Sequence, residues 1–349
     1  MPTSETATFK PTENWYTDKL DGPLDEAVGQ ARDKMNREDT SALIDSLKEQ
    51  VRYAENGVAY AVLKSDKPEE YSDSEALVMF NPFANPASSN MLVRAEFIRE
   101  VARFSNVRDE AGKLKPVIML ASPGRKARMG SQLNLTGEER GIIKKGDLGP
   151  AAKELLHAVS TLEVGKVAML GFSQGADMAL AGARKAYSVN LDTTAVSVGD
   201  PSGVEKRNRI KLGIDFSKAG PKQLKDSVKR TGLTAQDKAA DTFGDLVFGF
   251  GLSAAQKINR LVLAKGMGKN SFETHAQDLL RGGELDKLVV AYGSNSEIAK
   301  PKAIEPALHR LHSEFDAGNI LTSIRVEGGD HTWGDQLTLL ARLYMRALT

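Results

Sequence analysis

The chain has 349 residues with 47 basic and 46 acidic side chains, and its formal net charge of +1 argues against nucleic-acid binding as its main function. It contains no cysteine, which excludes disulfides, cysteine nucleophiles, cysteine-ligated zinc and iron–sulfur clusters. No apolar run approaches the roughly 20 residues of a membrane-spanning helix, and the first residues lack the apolar core of a signal peptide. The sequence therefore predicts a soluble, cytoplasmic protein with no transmembrane segment.

The first 55 residues are predicted to form an N-terminal helical extension. A serine and apolar residues at helical spacing predict a helix over 41–54. The segment is acidic, since residues 1–75 carry a net charge of −8.

From residue 56 the pattern predicts an α/β core over 56–204 and 286–349. Short apolar runs rich in Val and Ile are typical of buried strands of a mostly parallel sheet. These runs lie at 57–63, 76–80, 116–121, 166–170, 193–199, 287–293 and 320–328. Amphipathic helical patterns separate them at 90–104, 148–162, 176–187, 302–315 and 334–348. Such alternation predicts helices on both faces of the sheet.

Residues 205–285 interrupt the alternation and are predicted to form a helical cap insert. An insert at the carboxyl edge of the sheet lies where ligands bind. Its apolar cluster indicates either an acyl pocket or the cap's own core; the cluster comprises Phe243, Leu246, Val247, Phe248 and Phe250. Residues 205–238 carry a net charge of +6, opposite to the extension. Either both are solvated faces, or they pack together, within one chain or between copies in a homo-oligomer.

The strongest motif is the turn Gly171-Phe172-Ser173-Gln174-Gly175, which joins an apolar strand directly to a helix. A nucleophilic serine on such a sharp turn needs glycine two residues before and after it, because larger side chains would collide there. The turn also directs the N–H of Gln174 at a developing oxyanion, near the positive end of the helix.

This strand–turn–helix resembles the nucleophile turn of the α/β-hydrolase superfamily. The resemblance covers about residues 57–349 without the insert, and it implies an α/β-hydrolase fold with a Ser–acid–His triad. GFSQGA is also similar to the turn of cutinase-like esterases and of phage enzymes that cleave mycolate esters. Because of the similarity to phage enzymes, association with a phage is a second expected localisation beside the cytoplasm.

The resemblance implies a general base on a loop after the last strand, and His331 lies there, followed by a helix. Its role would be to take the serine proton and return it to the leaving group. His157 and His309 fall in predicted helices, and His312 follows at a spacing that could bind a metal, although a solvated helix face is favoured. His275 lies in the insert and could contact substrate.

Two carboxylates compete for the third position. The resemblance places the acid after the strand 287–293, where its usual aspartate would fall at Ser296, so Glu297 beside it is the favoured acid. Asp200, after the preceding strand, is the alternative, since some lipases carry their acid there. Both keep the order Ser, acid, His.

The resemblance implies a second oxyanion donor after an early strand, often behind a His-Gly pair. Here Asn81-Pro82 replaces that pair, and Phe83 would supply the N–H. The alternative is a proline-rich turn with no such role.

Together these residues predict an esterase or lipase-like serine hydrolase acting on a small-molecule or lipid-like ester, with neither metal nor organic cofactor. Two alternatives stay open. One is another reaction on the same fold, carried out by a thioesterase, a peptidase or a cofactor-free haloperoxidase. The other is a non-catalytic descendant used for assembly or binding.

Overall fold

A nine-stranded sheet organises the described part of the chain. The computed structural model describes residues 9–16, 24–65, 67–82, 89–123, 129–207, 252–283, 285–315, 319–331 and 333–348. The strands of the described residues are β1 (Glu13–Tyr16), β2 (Val51–Tyr53), β3 (Ala59–Leu63), β4 (Glu75–Phe80), β5 (Val117–Leu120), β6 (Lys166–Phe172), β7 (Asp192–Gly199), β8 (Lys287–Gly293) and β9 (Leu321–Glu327).

The nine strands lie in the order β1-β9-β8-β7-β6-β4-β5-β3-β2. β3 is antiparallel to both of its neighbours, and the remaining pairs are parallel. The central strands are buried on both faces, as their continuous apolar runs predict. This strand order is that of the α/β-hydrolase fold, so the predicted fold class is confirmed.

Helices cover both faces of the sheet. The helices of the described residues are α1 (Leu24–Arg37), α2 (Thr40–Glu49), α3 (Ser89–Phe104), α4 (Gly137–Lys144), α5 (Gly149–Ser160), α6 (Gln174–Ala183), α7 (Ala254–Met267), α8 (Phe272–Gly282), α9 (Pro301–Phe315) and α10 (Leu337–Arg346). Helices α1, α2, α3 and α10 bury their apolar faces in one cluster, and α4 to α9 bury theirs in the other. The sheet therefore separates two cores.

The N-terminal 55 residues are not wholly helical as predicted. They contain α1 and α2 but also β1, which pairs in parallel with β9 at one edge, and β2, at the other edge. Both strands are short and half exposed, which leaves little apolar signal for a sequence-based prediction. Helix α1 packs on α3, so this part of the extension lies against the core.

The described part of the predicted insert contains α7 and α8. Two buried carboxamides attach α7 to the core, because Gln256 and Asn259 donate hydrogen bonds to the carbonyl of Leu133 at 3.1 and 2.8 Å. Residues 208–251, with the apolar cluster of the insert and most of its basic segment, lie outside the described residues. Within the part of the chain described here, no helix is both long and apolar enough to span a bilayer.

Candidate active site

Ser173 occupies a strained turn between β6 and α6. Its backbone has φ 58° and ψ −123°, a conformation that residues with a side chain rarely adopt. A Cβ on Gly171 would lie 2.1 Å from the carbonyl oxygen of Gly175, and one on Gly175 would lie 2.2 Å from that of Phe80. Only glycine fits at both positions, which is the physical reason for the motif's spacing.

Ser173, His331 and Asp200 lie in one hydrogen-bonded series. The Oγ of Ser173 is 3.0 Å from Nε2 of His331. On the other side of the ring, Nδ1 of His331 contacts Oδ2 of Asp200. Ser173 and His331 are each 4% exposed and Asp200 is fully buried, so the contacts are shielded from bulk water. His331 is 158 positions from Ser173 and 131 from Asp200 in the sequence, and the fold brings it to both. Ser173 and Asp200 follow the neighbouring strands β6 and β7.

Asp200 is surrounded by hydrogen-bond donors. Its Oδ1 accepts from the N–H of Gly293 at 3.0 Å and from Nε1 of Trp333 at 3.4 Å. Its Oδ2 accepts from the hydroxyl of Ser296 at 2.6 Å, in addition to the contact with His331. A carboxylate can only accept, so this environment suits the ionised form and requires Nδ1 of His331 to carry a proton.

The sequence-based preference for Glu297 as the acid is not supported by this geometry. Glu297 is exposed, and its main-chain carbonyl accepts a hydrogen bond from Arg207 at 3.2 Å. Asp200 instead directly follows β7, the strand that pairs with β6, which leads into Ser173. Ser296, which stands where the resemblance places an aspartate, donates its hydroxyl proton to Asp200.

Two aromatic rings lie beside the contact between His331 and Asp200. The Phe172 ring lies 5.6 Å from the His331 ring and meets the Trp333 ring edge-on at 5.1 Å. Trp333 is fully buried and also contacts Asp200 through its indole nitrogen. Phe172 thus packs beside the imidazole, and Trp333 packs against Phe172 and donates to Asp200.

The two predicted oxyanion donors have different outcomes. Gln174 is the first residue of α6, so its N–H has no acceptor within the helix and lies at the positive end of the helix dipole. Phe83 falls outside the described residues. Asn81, just after β4, is described and is buried.

The remaining histidines lie away from this series. His157 is exposed on α5, and His312 lies 3.3 Å from the hydroxyl of Ser323. His275 is buried on α8, where burial lowers its pKa to about 4. Within the described ranges, no three His, Asp or Glu side chains are grouped in a way that could hold a metal ion.

Asp177, on α6, was not singled out by the sequence analysis. It is fully buried, and burial raises its pKa to about 7 despite hydrogen bonds from Ser202 and Gly203. The available signal was a single charge in an otherwise apolar helix, ADMALAGA. A buried charge there needs hydrogen-bond partners, which only the three-dimensional structure identifies.

Comparison with known proteins gives likenesses of structure only. No family model matches the chain, and no curated protein does. A putative lipase from Acinetobacter baumannii is 15% identical, with a TM-score of 0.48, covering 94% of this chain and 96% of that one. A carboxylesterase from Nitrososphaera gargenis is 16% identical, with a TM-score of 0.46, covering 82% and 92%. Naproxen esterase from Bacillus subtilis is 14% identical, with a TM-score of 0.46, covering 88% and 98%.

At these identities the likeness concerns the fold. The chain is an α/β-hydrolase-fold protein, as its strand order and its strand–Ser173–helix turn define.

Proposed function

We propose that the protein is a serine hydrolase that cleaves a carboxylic ester through an acyl-enzyme. The observation that carries the proposal is the buried series Ser173–His331–Asp200, in which each contact has the geometry of a hydrogen bond. The strained backbone of Ser173 adds support, because such strain is concentrated at functional sites.

The first step is attack on the ester. Asp200 holds the Nδ1 proton of His331, which leaves the Nε2 lone pair directed at the Ser173 hydroxyl 3.0 Å away. As Oγ bonds to the ester carbonyl carbon, its proton passes to Nε2 and the carbonyl electron pair moves to the oxygen. The Asp200 carboxylate stabilises the imidazolium that results.

The second step releases the alcohol. The N–H of Gln174 at the start of α6 stabilises the oxyanion. When the carbonyl re-forms, the bond to the alkoxide breaks, and the proton on Nε2 passes to the leaving oxygen. Water then repeats the sequence with His331 as base, giving the carboxylic acid and free Ser173.

The ester is proposed as the substrate class because the GFSQGA turn is similar to those of ester-cleaving enzymes. Thioesters and amides would react by the same bond changes, so the substrate class needs its own measurement. Matched p-nitrophenyl ester, thioester and anilide substrates with the same acyl group separate the three. A kcat/KM highest for the thioester or the anilide would contradict the proposed class.

Labelling by a fluorophosphonate tests whether Ser173 is activated. We expect covalent labelling of the wild-type protein and none of Ser173→Ala or His331→Ala. Glu297→Gln is the matched control, because it removes the rival carboxylate from an exposed position. Failure to label the folded wild-type protein would contradict the proposal and favour the assembly or binding alternative, which light scattering then tests.

A further inference from the structure

A buried carboxylate links the nucleophile helix to the turn that follows the acid. Asp177 lies on α6, four residues after Ser173, and is fully buried. Its Oδ2 accepts hydrogen bonds from the N–H of Ser202, at 3.1 Å, and from the Ser202 hydroxyl. Its Oδ1 accepts from the N–H of Gly203 at 3.0 Å. One side chain thus satisfies three donors of a single short turn.

That turn is the continuation of Asp200. Asp200 has a left-handed backbone, with φ 48°, and the ring of Pro201 fixes its own φ, which is −57°, before the 3-10 turn Ser202–Val204 begins. These restricted dihedral angles transmit a displacement of Ser202 to Asp200. Gly203 permits the close approach, because a Cβ there would lie 2.8 Å from Oδ1 of Asp177.

The nucleophile segment therefore holds the acid from both sides. Before Asp200, the carbonyl of Gly199 accepts a hydrogen bond from the N–H of Ser173 at 2.8 Å. After Asp200, Asp177 holds Ser202 and Gly203. Without Asp177, the N–H groups of Ser202 and Gly203 would lose the carboxylate that holds them to α6.

The position of Asp177 is costly for stability. Among the described residues no ion pair involves Asp177, so neutral donors alone compensate its charge. Burial raises its pKa to about 7, which reflects the cost of ionising it there. A buried carboxylate with no charged partner is the kind of local cost that is expected where a polar group has a role to perform.

We propose that Asp177 is a positioning residue that keeps the Asp200 carboxylate aligned with His331 by holding the 202–203 turn to the nucleophile helix. The inference rests on the proposed function, since alignment matters only if the Ser173–His331–Asp200 series is catalytic. Asp177 does not contact the reacting atoms and acts through Asp200.

Two variants weaken this link to different degrees. Each Asp177 oxygen accepts from a main-chain N–H, so in Asp177→Asn either orientation of the amide points its NH2 at an N–H donor. Ser202→Ala removes the hydroxyl alone. Ser72→Ala is the matched control, because it also removes one buried serine hydroxyl. The Ser72 hydroxyl accepts main-chain N–H groups at 3.2 and 3.0 Å just before β4, at the opposite end of the strands from Ser173.

The experiment measures kcat and KM for hydrolysis of a p-nitrophenyl ester, together with urea unfolding of each variant. We expect Asp177→Asn to lower kcat about 10- to 100-fold, the size of effect produced by misplacing a catalytic group by about 1 Å. KM should change less than about 2-fold, because the ester contacts are untouched. Ser202→Ala should lower kcat by a smaller factor, and Ser72→Ala should lower stability without lowering kcat.

A double-variant comparison separates positioning from general stabilisation. In the Asp200→Asn background there is no carboxylate left to align, so Asp177→Asn should lower kcat no further. An equal factor in both backgrounds would overturn the inference. If Asp177→Asn does not fold, the same comparison with Ser202→Ala decides the matter.

Different results would overturn the proposed function and the positioning role of Asp177. A folded wild-type protein that fluorophosphonate does not label overturns the proposed function, and the positioning role with it. A wild-type protein that is labelled and hydrolyses the ester, while Asp177→Asn and Ser202→Ala keep its kcat, overturns the positioning role alone.

Discussion

Replacing Asp200 by Asn should move the proton of His331 to the wrong nitrogen. On the Oδ1 side, the donors are the N–H of Gly293 at 3.0 Å and the indole N–H of Trp333 at 3.4 Å. Neither can become an acceptor, so the amide oxygen of Asn must take that side. The amide NH2 then faces Ser296 and His331.

Ser296 and His331 can both accept a hydrogen bond from this NH2, but His331 then loses its ability to act as a base toward Ser173. The Ser296 hydroxyl can rotate, and the imidazole can accept at Nδ1 by carrying its proton on Nε2. An Nε2 that carries a proton cannot accept one from Ser173. We therefore expect kcat to fall about 10⁴-fold, or about 5 kcal/mol in activation free energy, with the site's shape preserved.

The assay is ester hydrolysis with kcat measured for Asp200→Asn and Glu297→Gln, and urea unfolding to show that both are folded. Glu297 is exposed, so its substitution should leave kcat within about 2-fold of wild type. A kcat for Asp200→Asn within about 10-fold of wild type would refute the tautomer argument. A large loss in Glu297→Gln instead would restore Glu297 as the acid.

Gly175→Ala should abolish fluorophosphonate labelling and destabilise the fold by about 1–3 kcal/mol, because its Cβ would meet a main-chain oxygen at 2.2 Å. Gly141→Ala, with nothing within 4 Å of its Cβ, should instead raise the unfolding free energy by about 0.5–1 kcal/mol. Burial lowers the pKa of His275 to about 4 in the folded protein, whereas in the unfolded chain the pKa is near 6.5. As the pH falls from about 6.5 to about 4, the unfolded chain binds a proton that the folded protein does not, so the free energy of unfolding should fall by an amount on the order of 3 kcal/mol. Urea unfolding at both pH values should show a smaller loss in His275→Gln, and an equal loss would contradict this. Ser296→Ala removes one donor to Asp200, at 2.6 Å, and should lower kcat about 10-fold; an unchanged kcat would show that its hydroxyl does not support the acid.

Much of the central sheet was predictable because its strands are buried on both faces. Such strands are continuous apolar runs, and the run at 287–293 coincides with β8 from end to end. β1 and β2 were missed because short edge strands with exposed faces have no comparable pattern. Their pairing depends on strands elsewhere in the chain, which local sequence does not encode.

In the candidate site too, residues fixed by local sequence were predictable and those that depend on distant contacts were not. Ser173 was identifiable because its glycine neighbours are required by local geometry, and His331 because it follows the last strand. The choice between Glu297 and Asp200 was not local. It depends on which loop reaches the imidazole, and β7, which pairs with β6, brings Asp200 there.

The pairing of β1 with β9 at the edge of the sheet is expected to form late in folding. Thr12 donates its N–H to Ser323 at 3.1 Å, a contact between residues 311 positions apart. Contacts so distant in sequence cost the most loop-closure entropy and are expected to form late. We therefore expect the outer edge of β9, from which the chain continues directly to His331, to remain unpaired until β1 joins it. An uncovered edge can pair with another chain, so misassembly during refolding should increase with protein concentration.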